Sequence, residues 1–251
     1  MQHYDALRPT GENLMAVPNH VIEYLRNTAL DYKERTAPHF PKAHAWRELN
    51  NDDIWKLTIY QVAVVGNSSS YDRLINSNEA QQKLNFEYFC TLDTEECRLT
   101  INRMLRCHGV RYASAEMKKC RKTSSILKNF IFLRQFDGGP IGYTKFLETL
   151  NDDRSKISRV EHDLCYIKLK GARDLLAELG IARYLISLDY RILTILAKLG
   201  VSYPQSIKTN KLQYLSLEDE LLQHVCLPIG ITGVELDRIL YWNYNEIIAR
   251  L

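Results

Sequence analysis

The chain has 251 residues, of which 45% are hydrophobic, and its formal net charge is +3 at pH 7. It contains no run of about eighteen uncharged apolar residues, and Asp5, Arg8 and Glu12 interrupt the segment where a secretory leader carries its apolar core. These features argue against a membrane protein and a secreted one. We expect a cytoplasmic protein, large enough for one domain with a sizeable core or for two lobes.

Six cysteines are scattered along the chain, at Cys90, Cys97, Cys107, Cys120, Cys165 and Cys226. They do not form the close pairs that are typical of zinc and iron–sulfur sites, and reduced thiols are the expected state. The sequence therefore predicts no metal and no cofactor.

Positive charge is concentrated in the middle of the chain. The segment 100–173 contains 16 Lys or Arg against 7 Asp or Glu, a balance of +9, so the remaining residues carry −6. A local excess of this kind is typical of a surface that binds nucleic acid, and the middle of the chain is the candidate DNA face.

Helical periodicity with cap residues and breakers recurs after an irregular segment 1–16, and no alternating strand pattern occurs. We therefore predict an all-α, two-lobed fold, with one lobe formed by 1–50 plus 201–251 and the other by 51–200. Outside the stretch 168–201, helices are predicted, in chain order, over 18–36, 51–65, 78–92, 93–107, 115–136, 142–150, 151–163, 217–224 and 233–250.

The helix predicted over 115–136 carries a cluster of cations. These are Lys118, Lys119, Arg121 and Lys122. Such a run is ordinarily a solvated helix face, and the alternative is a face that contacts DNA phosphates. The sequence leaves both interpretations open.

The stretch 168–201 reads as two short amphipathic helices around a loop. Gly180 stands where a C-cap glycine ends the first helix, and Ser187 or Asp189 stands where an N-cap begins the second. Lys170 opens the first helix, and an antiparallel packing brings Lys170 and Asp189 to one mouth. A lysine with a carboxylate beside it suits nucleophilic catalysis.

This stretch resembles the catalytic core of the helix-hairpin-helix base-excision DNA glycosylases. Lys170, Gly171, Ala172 and Leu176 match the lysine helix of that family, and Asp189-Tyr190-Arg191 matches its aspartate turn. The resemblance implies that Lys170 is the nucleophile, that Asp189 stabilises positive charge on the sugar, and that Arg191 contacts DNA.

Two further segments are similar to archaeal 8-oxoguanine glycosylases. The segment 54–69 matches the helix and loop that introduce a DNA wedge, which implies that Asn67 enters the duplex and that Ser68 contacts DNA. Without the resemblance, 66–70 reads as an ordinary turn. The segment 222–247 resembles the C-terminal helix of the archaeal GO glycosylase branch. This implies that Asp237 and Tyr241, four residues apart on one helix face, contact the damaged base.

The sequence departs from the family in the hairpin before the lysine. The family holds a Gly-x-Gly there, whose bare backbone approaches a phosphate, whereas this chain has Tyr166 and Lys168. We expect a divergent helix-hairpin-helix element in which Tyr166 and Lys168 contact DNA.

The resemblance implies a monomeric DNA-repair enzyme that binds double-stranded DNA, flips a damaged or modified base out of the duplex and excises it. The predicted base is 8-oxoguanine, and the implied activities are those of an N-glycosylase and of an AP lyase acting through a lysine Schiff base. Two alternatives remain open. One is a glycosylase for a bulky modified base of phage DNA, and the other is a non-catalytic protein that binds damaged DNA.

Overall fold

The computed structural model describes residues 16–66 and 69–251. Within these residues the chain is helical and has no β-strand, so the predicted all-α class is confirmed. The α-helices of this part of the chain are, in order, α1 Asn19–Thr36, α2 Asn51–Ala63, α3 Ser69–Ile75, α4 Asn78–Lys83, α5 Phe86–Thr91, α6 Thr94–Cys107, α7 Arg121–Leu133, α8 Gly139–Glu148, α9 Asp153–Asp163, α10 Leu169–Glu178, α11 Tyr190–Lys198, α12 Lys211–Leu221, α13 Gly233–Trp242 and α14 Tyr244–Arg250.

The chain forms two compact units. The terminal unit comprises the residues up to Pro38 together with Leu188–Leu251, and the central unit comprises His39–Ser187. The predicted lobes were 1–50 plus 201–251 and 51–200. Like the two units, they pair the two ends of the chain against its middle, but their boundaries differ from those of the units by about twelve residues. As independently folding domains they stay a prediction.

The central unit is built around α2. Asn50 and Asp53 form a capping box at its start, which satisfies backbone N–H groups that a helix leaves unpaired. Trp55 of α2 is fully buried, and its ring centroid lies 5.9–6.1 Å from those of Phe86, Phe89 and Phe130. Because α2 also packs against α8 and α10, it positions the helix that carries Lys170.

The C-terminus of α10 is fastened by a preceding segment of the same unit. Gly180 has a φ of +68°, which glycine adopts without steric cost, and so confirms the predicted C-cap. The backbone N–H of His44 donates to Gly180 O at 2.9 Å, and that of Trp46 donates to Leu179 O at 3.0 Å. Carbonyls that a helix end leaves unpaired are thereby satisfied.

The terminal unit packs α1 against α13, and α11 against α13 and α14. The predicted apolar stripe of α11 is buried; it consists of Ile192, Leu193, Ile195 and Leu196. The chain enters this unit at Leu188, whose backbone N–H donates to the Tyr214 hydroxyl at 2.8 Å. Asp189 follows immediately and is therefore held at the edge of a packed core.

Two of the predicted helices are each divided at an asparagine, and a third begins earlier than predicted. The Asn85 side chain accepts from Tyr88 N at 2.9 Å and divides the segment 78–92 into α4 and α5. The segment 233–250 divides at Asn243, whose side chain donates to Ile239 O at 2.8 Å. The Asn210 side chain accepts from Gln213 N at 3.2 Å and caps α12, so this helix begins at Lys211, six residues before the predicted start at 217.

In residues 16–66 and 69–251, no helix combines the length and the apolar character that crossing a membrane requires.

Candidate functional site

In the central unit, α9 and α10 pack together as a helical hairpin, and residues 164–168 connect them. Tyr166 in this connection has a φ of +69°, a left-handed conformation that costs a residue other than glycine about 1 kcal/mol. The buried Asn129 of α7 holds the turn, since its amide accepts from Cys165 N at 2.6 Å and donates to Cys165 O at 3.1 Å. The hairpin turn therefore forms without a Gly-x-Gly, with Tyr166 and Lys168 in its place.

Buried charge ties the two helices of the hairpin together. Arg173 of α10 is fully buried, donates to Leu169 O at 2.7 Å and lies 3.5 Å from a carboxylate oxygen of Glu161 on α9. Lys168, at the N-cap of α10, donates to the backbone carbonyl of Glu161. These contacts fix the start of α10, where Lys170 lies.

Lys170 lies on the first turn of α10, and its side chain is 47% exposed. Its ammonium forms an ion pair with Asp174, one turn later, whose side chain is only 15% exposed. The neighbouring Gly171 faces α2, where a Cβ atom would meet Gln61 Oε1 at 3.5 Å. An ion pair favours the protonated amine, so attack by Lys170 requires this pair to open and the amine to lose its proton.

In the terminal unit, the N-cap of α11 is Asp189, one of the two candidates that the sequence offered, and not Ser187. One carboxylate oxygen accepts from Ile192 N at 3.0 Å. This hydrogen bond at the helix N-terminus fixes the orientation of the carboxylate. The residue is partly exposed, and its charge is accessible from solvent.

Two other predicted residues of the terminal unit meet directly. The Arg191 guanidinium lies 3.9 Å from the ring centroid of Tyr241, a close cation–π contact, and the Tyr241 ring is 37% exposed. Trp242 packs edge-on against Tyr241, with 5.9 Å between the ring centroids. Asp237 lies one turn earlier on α13 and is buried.

The predicted cationic cluster divides into exposed and buried members. Lys118 and Lys119 are exposed on a 3₁₀ turn before α7, and Lys119 pairs with Glu116 at 2.5 Å. Arg121 begins α7 and is exposed, with its guanidinium 5.9 Å from the ring centroid of Tyr166. Arg121 thereby links the start of α7 to the hairpin turn.

Lys122 differs from its neighbours because it is 1% exposed. Its ammonium donates to Ala63 O at 2.8 Å and to Val65 O at 2.7 Å, both at the end of α2. Burial lowers the pKa of Lys122 to about 8, and the Cys120 thiol opposes this shift. Two of its donors bond to backbone carbonyls and the side chain is buried, so Lys122 does not belong to the phosphate-contacting set that the sequence suggested.

Asn67, predicted to enter the DNA stack, and Ser68, predicted to contact DNA, lie outside the described residues. The structure adds two residues that the sequence analysis did not select for the site. Tyr112 is 63% exposed with a φ of +64°, and Arg111 donates to Gly66 O at 3.2 Å. Both residues lie in the connection between α6 and α7, which has no helical periodicity by which the sequence could indicate a role for them.

No family model matches this sequence, and no curated protein matches it. Solved structures do match. The 8-oxoguanine DNA glycosylase of Thermotoga maritima has 18% sequence identity and a TM-score of 0.64, over 89% of this chain and 95% of that chain. The 8-oxoguanine glycosylase/lyase of Methanocaldococcus jannaschii, in complex with 15mer DNA containing 8-oxoguanine, has 17% identity and a TM-score of 0.62, over 90% and 96%.

A further structure of the Methanocaldococcus jannaschii 8-oxoguanine DNA glycosylase has 15% identity and a TM-score of 0.65, over 90% of this chain and 95% of that chain. This chain has the fold of the 8-oxoguanine DNA glycosylases. The likeness covers most of the chain, and it confirms the predicted fold class and the predicted resemblance at the level of the fold.

Proposed function

We propose that the protein is a DNA N-glycosylase that removes a damaged or modified base from double-stranded DNA, with 8-oxoguanine as the first candidate. The observation that carries the proposal is Lys170 on the first turn of α10, in a helical hairpin of this fold. A lysine at that point, with an oriented carboxylate at Asp189, provides the two groups that glycosidic cleavage by an amine needs.

In the proposed reaction, neutral Lys170 attacks the sugar C1′ and the C1′–N bond breaks, so the base leaves with the bonding electron pair and takes up a proton. Opening of the sugar ring gives a Schiff base between Lys170 and C1′. Loss of a C2′ proton then expels the 3′ phosphate, which is the AP-lyase step. The ionised Asp189 stabilises positive charge that develops on the sugar.

We assign the DNA contacts of each unit separately. In the central unit these are Lys118, Lys119, Arg121, Tyr166 and Lys168, which add to the proposed wedge residues Asn67 and Ser68. In the terminal unit Arg191 contacts DNA, while Asp237 and Tyr241 recognise the base. Support comes from the exposure of the four central cations, Lys118, Lys119, Arg121 and Lys168, and from the exposed Tyr241 ring, whose aromatic face can stack on a base.

The test is borohydride trapping on duplexes that each carry one modified base, including 8-oxoguanine and bulky modified bases of the phage type. We expect a covalent adduct with one class of duplex, its absence in Lys170→Ala, and its retention in Lys128→Ala, which removes an exposed lysine of α7. Peptide mapping of the reduced adduct should identify Lys170. Asp189→Asn should suppress base release and leave DNA binding largely intact.

Two outcomes contradict the proposal in different ways. Adduct formation that persists in Lys170→Ala assigns the chemistry to another amine. Tight binding to damaged duplexes without base release from any of them favours the non-catalytic damage-binding protein, an alternative that the replacement of the hairpin glycines by Tyr166 supports.

A further inference from the structure

The end of α2 is capped by an unusual donor. The last carbonyls of a helix have no partner within the helix and are commonly satisfied by a glycine turn or by water. Here the buried ammonium of Lys122 donates to Ala63 O and Val65 O. Burying a charged lysine has a desolvation cost that a glycine cap avoids. In return, the lysine ties the end of α2 to α7.

A second cation holds the next residue of the same turn. Arg111 donates to Gly66 O at 3.2 Å, from a segment that precedes α7. Gly66 has a φ of +99°, and a Cβ atom on it would lie 2.8 Å from Tyr112 Cε2. The backbone at Gly66 therefore lies directly against the Tyr112 ring.

Lys122 and Arg111 also contact the Tyr112 ring. The Lys122 ammonium lies 5.8 Å from the ring centroid, and the Arg111 guanidinium lies 5.2 Å from it. The Tyr112 side chain is largely exposed. Its backbone is left-handed, a conformation that tyrosine rarely adopts. Contacts with neighbouring residues must stabilise such a conformation, and Lys122, Arg111 and Gly66 provide these contacts to Tyr112.

We propose that Lys122 and Arg111 form a cationic clamp that fixes the last turn of α2 against Tyr112 and so positions a rigid surface on which the DNA duplex is opened. Both are positioning residues, and the inference rests on the proposed function. Lys122 is buried and bonded to two backbone carbonyls, so it acts through Tyr112 and the end of α2. Arg111 acts from the solvent side of the same turn.

The clamp is tested with Lys122→Met and Arg111→Met, each on two substrates. These are a duplex oligonucleotide with one 8-oxoguanine and the same strand without its complement. Single-turnover base release from the duplex should fall about tenfold in each variant, whereas release from the single strand should change by less than about threefold, since only the duplex must be opened. Arg111→Lys retains a donor for Gly66 O and should keep most of the duplex rate.

Lys128→Met is the matched control, because it removes an exposed lysine from the same helix as Lys122. Its rates on both substrates should equal those of the wild type. The salt dependence of DNA binding should also be unchanged in Lys122→Met, since this side chain does not reach phosphate. A purely structural role for Lys122 predicts equal losses on duplex and single strand and would overturn the clamp.

Fluorescence of 2-aminopurine placed beside the lesion separates this inference from the proposed function, because it measures unstacking without any chemistry. If the wild-type protein unstacks the duplex and releases no base, the proposed function fails and the clamp is judged on fluorescence alone. If it does not unstack the duplex, or if both Met variants unstack it as well as the wild type, the clamp is wrong. Should Lys122→Met fail to fold by circular dichroism, Arg111→Met decides.

Discussion

The buried ammonium of Lys122 makes the stability of the protein depend on pH in a definite direction. Burial lowers its pKa from the ordinary 10.5 to about 8 in the folded chain. Between these two values the unfolded chain binds more protons than the folded one, so the free energy of unfolding rises with pH in this window. Below about pH 8 the lysine is protonated in both states, and the slope from this group vanishes.

We therefore expect Lys122→Met to lack part of the increase in stability that the wild type shows between about pH 8 and about pH 10. The measurement is chemical denaturation at several pH values in this range, with the free energy of unfolding plotted against pH. Lys128→Met should keep the wild-type slope. Equal slopes in wild type and Lys122→Met would mean that Lys122 titrates in the folded protein as it does in solvent.

Single residues also show how far the sequence alone can lead. Asp189 and Gly180 were predictable because an N-cap and a C-cap leave local signals next to an apolar stripe. The burial of Lys122 was not predictable, since its partners Ala63 and Val65 lie far away in the sequence. The ion pair between Lys170 and Asp174 is predictable from sequence, since the two residues have the i, i+4 spacing that brings side chains together on a helix.

At the scale of elements, the hairpin between α9 and α10 retains its turn with tyrosine in a left-handed conformation. We expect Tyr166→Gly to be more stable than Tyr166→Ala by about 1 kcal/mol, because alanine keeps the unfavourable φ and glycine relieves it. Urea denaturation measures this difference. The comparison of two variants cancels the loss of the contact between the tyrosine ring and Arg121.

The same pair of substitutions at Cys165, whose φ is negative, provides the control. There alanine should be the more stable residue, since glycine only adds freedom to the unfolded chain. If glycine is no better than alanine at position 166, the left-handed turn carries no strain.

Element boundaries were less predictable than element types. Hydrophobic periodicity indicated the helical character of 78–92 and 233–250, but it cannot distinguish one long helix from two helices that share an apolar face. The division depends on Asn85 and Asn243, whose side chains bond backbone groups at these points. Such bonds compete locally with helix continuation, and asparagine in a helical pattern does not reveal which alternative prevails.

For the whole molecule, the distribution of charge gives a prediction about DNA affinity. The basic segment 100–173 lies entirely within the central unit, and Lys118 is exposed there. Lys118→Glu should weaken binding to duplex DNA and reduce the slope of log affinity against log salt by about 1, because each neutralised phosphate contributes about 0.9 to that slope. Fluorescence anisotropy titrations at several salt concentrations measure it.

Lys211→Glu makes the same charge change at an exposed position of the terminal unit and serves as the control. It should leave the salt slope closer to the wild-type value than Lys118→Glu does. Equal slopes for the two variants would indicate that affinity follows net charge and that no phosphate contact is made at Lys118.

The fastening of α10 by His44 and Trp46 has a consequence for how the central unit opens. The amide protons of these two residues are bonded to Gly180 and Leu179, so they become accessible to solvent only when the end of α10 detaches. In native-state hydrogen exchange, the two amides should therefore exchange together with those of the last turn of α10, as one cooperative unit. Fraying at the C-terminus of α10, the helix that carries Lys170, is therefore limited by hydrogen bonds from His44 and Trp46, which lie more than a hundred residues earlier in the sequence.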